Sequence, residues 1–280
     1  MDLASDPTIK VTSPDKGQGL VIMSTQDYRM KLEDILGDTT KFQEVKRDEN
    51  ALLRSLQDKL NNFLCDLKKQ DKISEQDYLR CYTSGTSLGA MYGLAKTHKP
   101  DIPLRPIVSA YNTPNYNIGK FVLPMITHLS TNQYVLRNSY EFTHQIGELQ
   151  GASDVHMCSF DIKSLYTNIP VSETIDIIME KIFTQDVKTH FGFTCKEFKK
   201  LLEMALKDSF FKANGKIYKQ TEGLAMGSPL SPVIANIFLC NFEQIHLEQS
   251  NFNVKPQFYR RFLDDTFILF QNCEQSRVFF

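Results

Sequence analysis

The stretch Tyr259-Arg260-Arg261-Phe262-Leu263-Asp264-Asp265-Thr266-Phe267-Ile268-Leu269-Phe270 decides the fold class of this sequence. Apolar and aromatic residues, which favour strands, stand on both sides of two adjacent carboxylates. Because Asp is a strong turn former, a solvated turn at the tip of an exposed hairpin is one interpretation. The flanking residues are too apolar for that, so we predict two core strands joined by a hairpin centred on Asp264 and Asp265.

A second apolar strand also leads to a carboxylate. Residues 155–160 predict a strand that runs directly into Asp161. Two strands that each deliver an acid to one region of a sheet would form a site of hard oxygen ligands. Mg²⁺ prefers such ligands, uses few protein carboxylates and leaves room for substrate phosphates. The alternative for Asp161 is an ordinary turn residue at the end of a strand.

The rest of the chain mixes helical periodicity with hairpin signals. Residues 50–69 place apolar side chains at three- and four-residue spacing and predict an amphipathic helix. Thr194 and Glu197 fit a capping box at a helix start, and Asn214-Gly215 predicts a type I′ turn between two strands. Helices mixed with hairpins, without strict strand and helix alternation, indicate an α+β fold with an antiparallel sheet. A further helix is predicted over residues 233–248.

Charge is balanced overall but clustered locally. The formal net charge is -1, so no global basic field indicates nucleic-acid binding, and any such surface must be local. Residues 84–116 are rich in Gly and Pro and are predicted to be mainly loop. Within them lie Lys96, His98, Lys99 and Arg105, for which a solvated basic loop is the simplest interpretation.

Cysteine spacing and hydropathy indicate the cellular compartment of the protein. The six cysteines stand far apart without a C-x-x-C pair, which indicates free thiols in a reducing environment. The first residues are polar, and no run approaches the roughly 18 apolar residues of a membrane span. We therefore expect a soluble intracellular protein with no membrane partner.

Three segments resemble the catalytic motifs of reverse transcriptases. Ser159-Phe160-Asp161-Ile162-Lys163-Ser164-Leu165-Tyr166-Thr167-Asn168-Ile169-Pro170 is similar to their first motif, and Phe262-Leu263-Asp264-Asp265 resembles their aromatic-x-Asp-Asp motif. Between them, Gly223-Leu224-Ala225-Met226-Gly227-Ser228-Pro229-Leu230-Ser231-Pro232 resembles the glycine-rich loop and helix start beneath template and nucleotide. Each motif alone is weak evidence, but all three stand in the family order.

Two more segments resemble Penelope-like retroelements in particular. Tyr92-Gly93-Leu94-Ala95-Lys96-Thr97-His98-Lys99-Pro100, followed by Pro103-Leu104-Arg105-Pro106-Ile107-Val108-Ser109, is similar to their fingers motif. Pro14-Asp15-Lys16-Gly17, with Asp27-Tyr28, looks like their N-terminal signature. The resemblance therefore covers nearly the whole chain.

The resemblance implies a right-hand polymerase fold with helical fingers and a palm built on an antiparallel sheet. An N-terminal extension and fingers would occupy residues 1–108. The palm with finger insertions would occupy residues 109–280, with motifs at 159–170, 223–232 and 262–265. In the family a thumb and often a GIY-YIG endonuclease follow the palm. With the thumb absent here, we expect a truncated element copy or a partial gene product.

The same resemblance assigns the metal site. Asp161 and Asp264 would be side-chain ligands and Ile162 would contribute its backbone carbonyl. Asp265 would act either as a direct ligand or through its charge alone. The cofactor would be two Mg²⁺ ions, with Mn²⁺ as a substitute.

The nucleotide site follows from the resemblance as well. Lys96 and Arg105 would contact the triphosphate, and Arg offers a planar fork for phosphate oxygens. Tyr166 would lie beneath the sugar and exclude a 2′-hydroxyl, with a core aromatic as the alternative. Gly227 would permit close approach of the nascent pair, and Ser228 would begin a helix, for which a plain helix cap is the alternative. The remaining basic candidates either contact backbone phosphates or are ordinary solvated charges: Lys212, Lys216, Lys219, Arg260 and Arg261.

The implied function is RNA-directed DNA synthesis by a retrotransposon protein. Its partners would be an RNA template, a DNA primer, dNTPs and the thumb and endonuclease regions of the full element. It would act in the nucleus or the cytoplasm, with the nucleus favoured. One alternative is a catalytically inactive relic or nucleic-acid-binding scaffold of the same fold. Another is a small-molecule nucleotidyl transferase or cyclase, which would not require the Gly227 loop or the segment from Lys96 to Arg105.

Overall fold

Helices and hairpin-linked strands alternate irregularly along the chain, which confirms the predicted α+β class. The computed structural model describes residues 6–149, 155–249 and 255–279. The strands in this part of the chain are β1 Ile9–Thr12, β2 Val21–Ser24, β3 Phe42–Glu44, β4 Gly89–Ala95, β5 Leu104–Ser109, β6 His156–Asp161, β7 Thr189–His190, β8 Phe193–Thr194, β9 Phe210–Ala213, β10 Lys216–Gln220, β11 Phe258–Phe262 and β12 Asp265–Phe270. The helices are α1 Thr25–Leu36, α2 Glu49–Lys69, α3 Glu75–Cys81, α4 Tyr116–Ile126, α5 Ser139–Gly147, α6 Leu165–Asn168, α7 Val171–Ile182, α8 Cys195–Leu206, α9 Ser231–Glu243 and α10 Cys273–Phe279.

Two sheets organise the molecule. The first has the order β3-β10-β9-β4-β5 and so joins strands from the first hundred residues to the 210–220 hairpin. Its pairs are antiparallel except β4 with β9. The second has the order β11-β12-β6 and is antiparallel throughout. The predicted antiparallel hairpin around Asp264 is therefore part of a three-stranded sheet.

Two apolar clusters form the core of the described residues, and one of them lies against the five-stranded sheet. One face of the five-stranded sheet packs against α1, where Tyr28, Leu32 and Phe211 are buried in one cluster. A larger cluster fills the space between α2, α4, α7, α8 and α9, and includes the fully buried Leu64 and Phe198. Burial on this scale is the main favourable term in folding, because it removes apolar area from water. No helix in the described ranges is both long and apolar enough to span a membrane.

Local signals in the sequence correspond to the observed element boundaries. α2 matches the predicted amphipathic helix, and the Thr194 and Glu197 side chains form the predicted capping box at α8. Asn214 and Gly215 have φ of 47° and 77°, as a type I′ turn requires. These predictions are confirmed because each depends on contacts within a few residues.

The prediction of a loop over residues 84–116 is wrong, since this segment contains β4 and β5. Gly93 lies inside β4, where close packing favours glycine. A Cβ at this position would come within 2.7 Å of the Leu104 side chain on the neighbouring strand. Pro106 is tolerated because β5 is an edge strand, where a missing N–H costs no ladder hydrogen bond. Glycine and proline therefore mark close strand packing and a sheet edge in this segment.

The predicted helix over residues 233–248 also needs correction. The α-helix ends at Glu243, and Gln244–Gln249 continues as a π-helix. Apolar periodicity does not distinguish the two helical forms over so short a length. The change falls beside the buried Glu243, described below.

Candidate active site

The three predicted acids converge at one edge of the three-stranded sheet. Asp161 is the last residue of β6 and lies directly opposite Asp265, the first residue of β12. The backbone N–H of Ile162 donates to the Asp264 carbonyl over 2.9 Å. Directly opposed residues in an antiparallel pair point to the same face of the sheet. The Asp161 and Asp265 side chains therefore share one face.

The turn itself differs by one residue from the prediction. It is formed by Leu263 and Asp264, and Asp265 already belongs to β12. Leu263 has φ of 56°, a conformation that is rare for a residue with a branched side chain. A left-handed residue immediately before Asp264 sets where that acid lies relative to the strand ends.

The donor set is chemically suited to a hard divalent cation. Asp161 and Asp265 are exposed and Asp264 is half-buried, so all three remain open to a ligand. None of the hydrogen bonds between described residues uses the Ile162 carbonyl. Within the same residues, no group of three or more His, Cys, Asp or Glu side chains is arranged to hold a metal by itself. The set fits Mg²⁺, which takes few protein oxygens and completes its shell with water and substrate phosphate.

Tyr166 lies beside these acids on α6. Burial raises the pKa of its phenol, and the nearby Asp264 carboxylate raises it further. The ring also packs against the larger core cluster, so both sequence interpretations, a core aromatic and a neighbour of the acids, hold together. The Leu224 N–H donates to the Tyr166 carbonyl over 2.7 Å. Gly223, whose role the sequence left undefined, permits this contact, because a Cβ there would lie 2.6 Å from Thr167.

Lys96 directly follows β4, and Arg105 is the second residue of β5, so both lie at the same end of the five-stranded sheet. Partial burial lowers the pKa of Lys96, the charges of Arg105 and Lys99 lower it further, and Asp15 and Asp161 oppose this change. Lys96 therefore lies within electrostatic reach of the Asp161 carboxylate. Of the two predicted triphosphate cations, Lys96 is the one whose charge interacts with a predicted metal acid. His98 and Lys99 are exposed, as predicted.

Gly227 and Ser228 lie in the loop before α9, and their predicted place in the nucleotide site stays a prediction. The Gly227 N–H donates to the Val108 carbonyl over 3.0 Å, and a Cβ at Gly227 would come within 2.5 Å of that oxygen. The close approach is therefore to the backbone of β5. The helix begins at Ser231, with Pro232 in its first turn, and Ser228 lies in the preceding turn. Sequence placed the helix start one turn too early, since both Ser-Pro pairs fit the same signal.

Arg261 is buried, which corrects its prediction as a phosphate contact or a solvated charge. It pairs with Glu243 on α9, and both side chains are 1% exposed. Its Nη1 atom donates to Asn236 over 2.9 Å and to the Leu263 carbonyl over 3.1 Å. Arg261 thus connects the turn that carries Asp264 to the helix after the glycine loop. Its position in an apolar strand was the available signal, because a buried strand has no room for a solvated charge.

The three-stranded sheet and the five-stranded sheet together form the α+β arrangement of the palm and fingers in a reverse transcriptase. The chain belongs to the reverse transcriptase (RNA-dependent DNA polymerase) family, whose sequence profile matches residues 97–278. No curated protein matches it significantly. The Penelope-like assignment stays a prediction.

Solved telomerase structures share this fold. The apo telomerase of Candida tropicalis superposes with a TM-score of 0.61 at 10% identity, covering 96% of this chain and 48% of that one. Candida albicans telomerase, in complex with a TWJ fragment of telomeric RNA, gives a TM-score of 0.59 at 10% identity, with 96% and 46% covered. The chain therefore spans about half the length of these structures.

Proposed function

We propose that this protein is an RNA-directed DNA polymerase that transfers nucleotides from dNTPs to a primer 3′-hydroxyl. The observation that carries the proposal is the pairing of Asp161 with Asp265, beside an Asp264 tied by its carbonyl to Ile162. Membership of the reverse transcriptase family supports it. Asp161, Asp264 and Asp265 are the proposed catalytic acids.

The proposed metal ligands are Asp161, the Ile162 carbonyl and Asp264. Bound by these groups, two Mg²⁺ ions would supply charge neutralisation for phosphoryl transfer. Asp265 faces Asp161 and adds negative charge at the same place, whether or not it binds metal itself. Mn²⁺ would be accepted as a substitute by the same oxygen donors.

Lys96 and Arg105 bind and orient the triphosphate in this proposal. The primer hydroxyl gives up its proton to solvent and its oxygen attacks the α-phosphorus. The bond between the α-phosphorus and the oxygen that bridges it to the β-phosphate breaks, and pyrophosphate leaves with the electron pair of that bond. Fixed cations near that charge assist because phosphoryl transfer depends mainly on positioning and electrostatic stabilisation. Half-burial of Lys96 strengthens its interaction with phosphate, since part of its hydration is already removed.

Tyr166, Gly227 and Ser228 complete the proposed nucleotide site. The Tyr166 ring is held between the core and Asp264, where it would exclude a 2′-hydroxyl. Gly227 joins its loop to β5, the strand that carries Arg105, so the loop and the cation keep a fixed relation. Both contacts favour a preformed pocket for a deoxynucleotide.

The wider assignments belong to the same proposal. We infer a Penelope-like retrotransposon origin from the motifs that include Lys96 and Asp15, and a nuclear site of action. An RNA template is supported by the family and by the fold shared with RNA-bound telomerase. We also infer that the full element has thumb and endonuclease regions. This chain would divide into fingers over residues 1–108 and palm over residues 109–280.

Primer extension on an RNA template with Mg²⁺ and dNTPs tests the proposal. Asp161→Asn and Asp264→Asn should each abolish extension, because an amide loses the charge that holds the cation. Asp176→Asn is the matched control, since among the described residues this exposed acid on α7 forms an ion pair with Lys199 alone. Calorimetric binding of Mg²⁺·dNTP to the 280-residue chain gives a second readout that needs no turnover.

The alternatives make different predictions for the same measurements. An inactive scaffold would bind primer and template but show neither extension nor Mg²⁺-dependent dNTP binding. Extension by Asp161→Asn at the parental rate would show that the acids are misassigned. Nucleotide coupling without any template would indicate a small-molecule nucleotidyl transferase.

A further inference from the structure

Asp15 lies outside residues 97–278, which the family profile matches, yet its side chain contacts Arg105, one of the two proposed triphosphate cations. Residues 12–15 run along the end of β4 and are joined to it by the backbone. The Thr12 hydroxyl donates to the Gly93 carbonyl over 2.8 Å, Ala95 N–H donates to Ser13 over 3.2 Å, and Asp15 N–H donates to Ala95 over 2.8 Å. These bonds place Asp15 at the strand end where β4 meets β5.

The register of the two strands then brings Asp15 to Arg105. Ala95 pairs with Leu104, and Leu94 pairs with Arg105. Arg105 Nε lies 3.1 Å from Asp15 Oδ1, and the Asp15 side chain is only 1% exposed. The contact lacks hydrogen-bond geometry, and neither carboxylate oxygen accepts a hydrogen bond from the described residues. Asp15 is therefore a buried anion whose nearest cation is Arg105.

Such an arrangement does little for folding. Removing a carboxylate from water is costly, and a single imperfect ion pair repays that cost poorly. Residues 12–15 are nevertheless fixed to β4 by three hydrogen bonds, and a buried carboxyl group that adds little to stability in so defined a place indicates a functional role. The contact through Nε leaves the two terminal nitrogens of Arg105 without a protein partner among the described residues. The Arg105 side chain is 42% exposed, so these nitrogens are accessible.

We propose that Asp15 is a positioning residue that fixes the Arg105 guanidinium for the triphosphate of the incoming dNTP. This inference rests on the proposed polymerase function. A free Arg side chain loses conformational freedom when it is ordered on a ligand, which weakens binding. Anchoring at Nε removes part of that loss and directs the planar fork of terminal nitrogens outward, the geometry that phosphate oxygens require.

Asp15 could instead act through its negative charge, which would repel an anionic ligand. Two substitutions distinguish this role from positioning. If charge alone mattered, Asp15→Asn and Asp15→Ala would both tighten nucleotide binding to a similar degree. If positioning dominates, Asp15→Ala weakens binding. Asp15→Asn then falls between Ala and the parental chain, because it keeps a polar oxygen of the same size beside Nε but loses the charge that attracts it.

Calorimetric titration of the 280-residue chain with Mg²⁺·dGTP tests the proposal, with thermal unfolding measured on every variant. We expect Asp15→Ala to raise the Kd by about fivefold or more, the scale of ordering one long side chain. In an Arg105→Ala background the same change should alter the Kd less than about twofold, because coupled residues are not additive. The melting temperature should stay constant or rise, whereas a purely structural residue would lower it.

Tighter binding by both variants would overturn the inference. So would equal effects of Asp15→Ala with and without Arg105, or a loss of affinity that only follows a loss of folded protein. Binding by the parental chain that is indifferent to Asp15 would refute the positioning role alone. A parental chain that binds no Mg²⁺·dGTP would refute the proposed nucleotide site, and the role of Asp15 with it.

Discussion

The backbone N–H of Ile162 donates a 2.9 Å hydrogen bond to the carbonyl of Asp264. The bond links two acid-bearing segments that are far apart in the chain, and it uses no side-chain atom. The relation of β6 to the β11–β12 turn is therefore independent of the carboxylates themselves. Changes at the acids should alter chemistry without disturbing the strands that carry them.

The first prediction is that Asp161→Asn leaves the fold unchanged. Asp161 is exposed at the end of β6, and surface substitutions of this kind usually change the unfolding free energy by less than about 0.5 kcal/mol. Urea denaturation of the variant and the parental chain measures the difference. A loss above about 1 kcal/mol would show that the carboxylate supports the strand end, and a loss of activity would then have two causes.

The second prediction concerns sugar selection at Tyr166. Tyr166→Ala should raise the use of ribonucleotides relative to deoxynucleotides, with a discrimination change of about 1–3 kcal/mol, the scale of one steric pocket contact. Tyr166→Phe is the control, because it keeps the bulk and removes only the hydroxyl. The ratio of the two kcat/KM values measures the effect. An unchanged ratio in Tyr166→Ala would assign the ring to the core alone.

The acids and the local elements could be predicted from sequence, but their supporting contacts could not. Asp161 and Asp264 follow apolar strands, and Asn214-Gly215 specifies its own turn, so short-range patterns sufficed. The contact of Gly227 with β5 joins residues more than a hundred positions apart, and no local pattern encodes it. Arg261 has the same charge as any surface arginine, and only the packing of α9 against its strand defines its burial.

The contact of Asp15 with Arg105 is another that local sequence patterns do not predict. A Pro-Asp-Lys-Gly segment is turn-like from its composition, and it marked the N-terminal signature by resemblance only. Its place beside Arg105 depends on the pairing of residues 12–15 with the end of β4. That pairing in turn exists only because residues 84–116 form strands, where composition predicted a loop.

The third prediction tests the Gly227 contact. Gly227→Ala would place a Cβ within 2.5 Å of the Val108 carbonyl, a backbone atom that cannot move aside easily. We expect a loss of about 1–3 kcal/mol in unfolding free energy, as in other overpacked sites. Gly147→Ala is the control, because nothing lies within 4 Å of a Cβ there. Equal effects of the two substitutions in urea denaturation would contradict the observed packing of the loop on β5.

The fourth prediction uses thiol reactivity to test the core. Burial raises the pKa of Cys81 and of Cys240 to about 11. The thiolate is the reactive form, so at pH 8, well below these values, both thiols stay protonated. Cys195 and Cys273 are exposed. Ellman's reagent at pH 8 should modify the two exposed thiols first, and Cys81 and Cys240 only after denaturant is added. Mass spectrometry identifies the labelled residues. Early labelling of Cys240 would contradict the burial of α9.

The last prediction concerns the buried pair of Arg261 and Glu243. Removing one partner leaves the other as an uncompensated buried charge, which typically costs about 3–5 kcal/mol. Arg261→Met should therefore lower the unfolding free energy by about that amount. It should also weaken primer extension, because the Leu263 carbonyl before Asp264 loses its donor.

Pairing the two substitutions separates charge from packing. Glu243→Gln keeps an acceptor for Asn132, which donates to Glu243 over 2.7 Å, and removes only the negative charge. The double variant Arg261→Met with Glu243→Gln should lose less stability than the sum of the two single variants, because no unpaired charge remains. Lys199→Met, which breaks the exposed pair with Asp176, should leave unfolding unchanged and serves as the control. Additive losses in urea denaturation would show that the pair contributes by packing alone. Partial recovery of stability without recovery of primer extension would instead locate the functional role of Arg261 in its bond to Leu263.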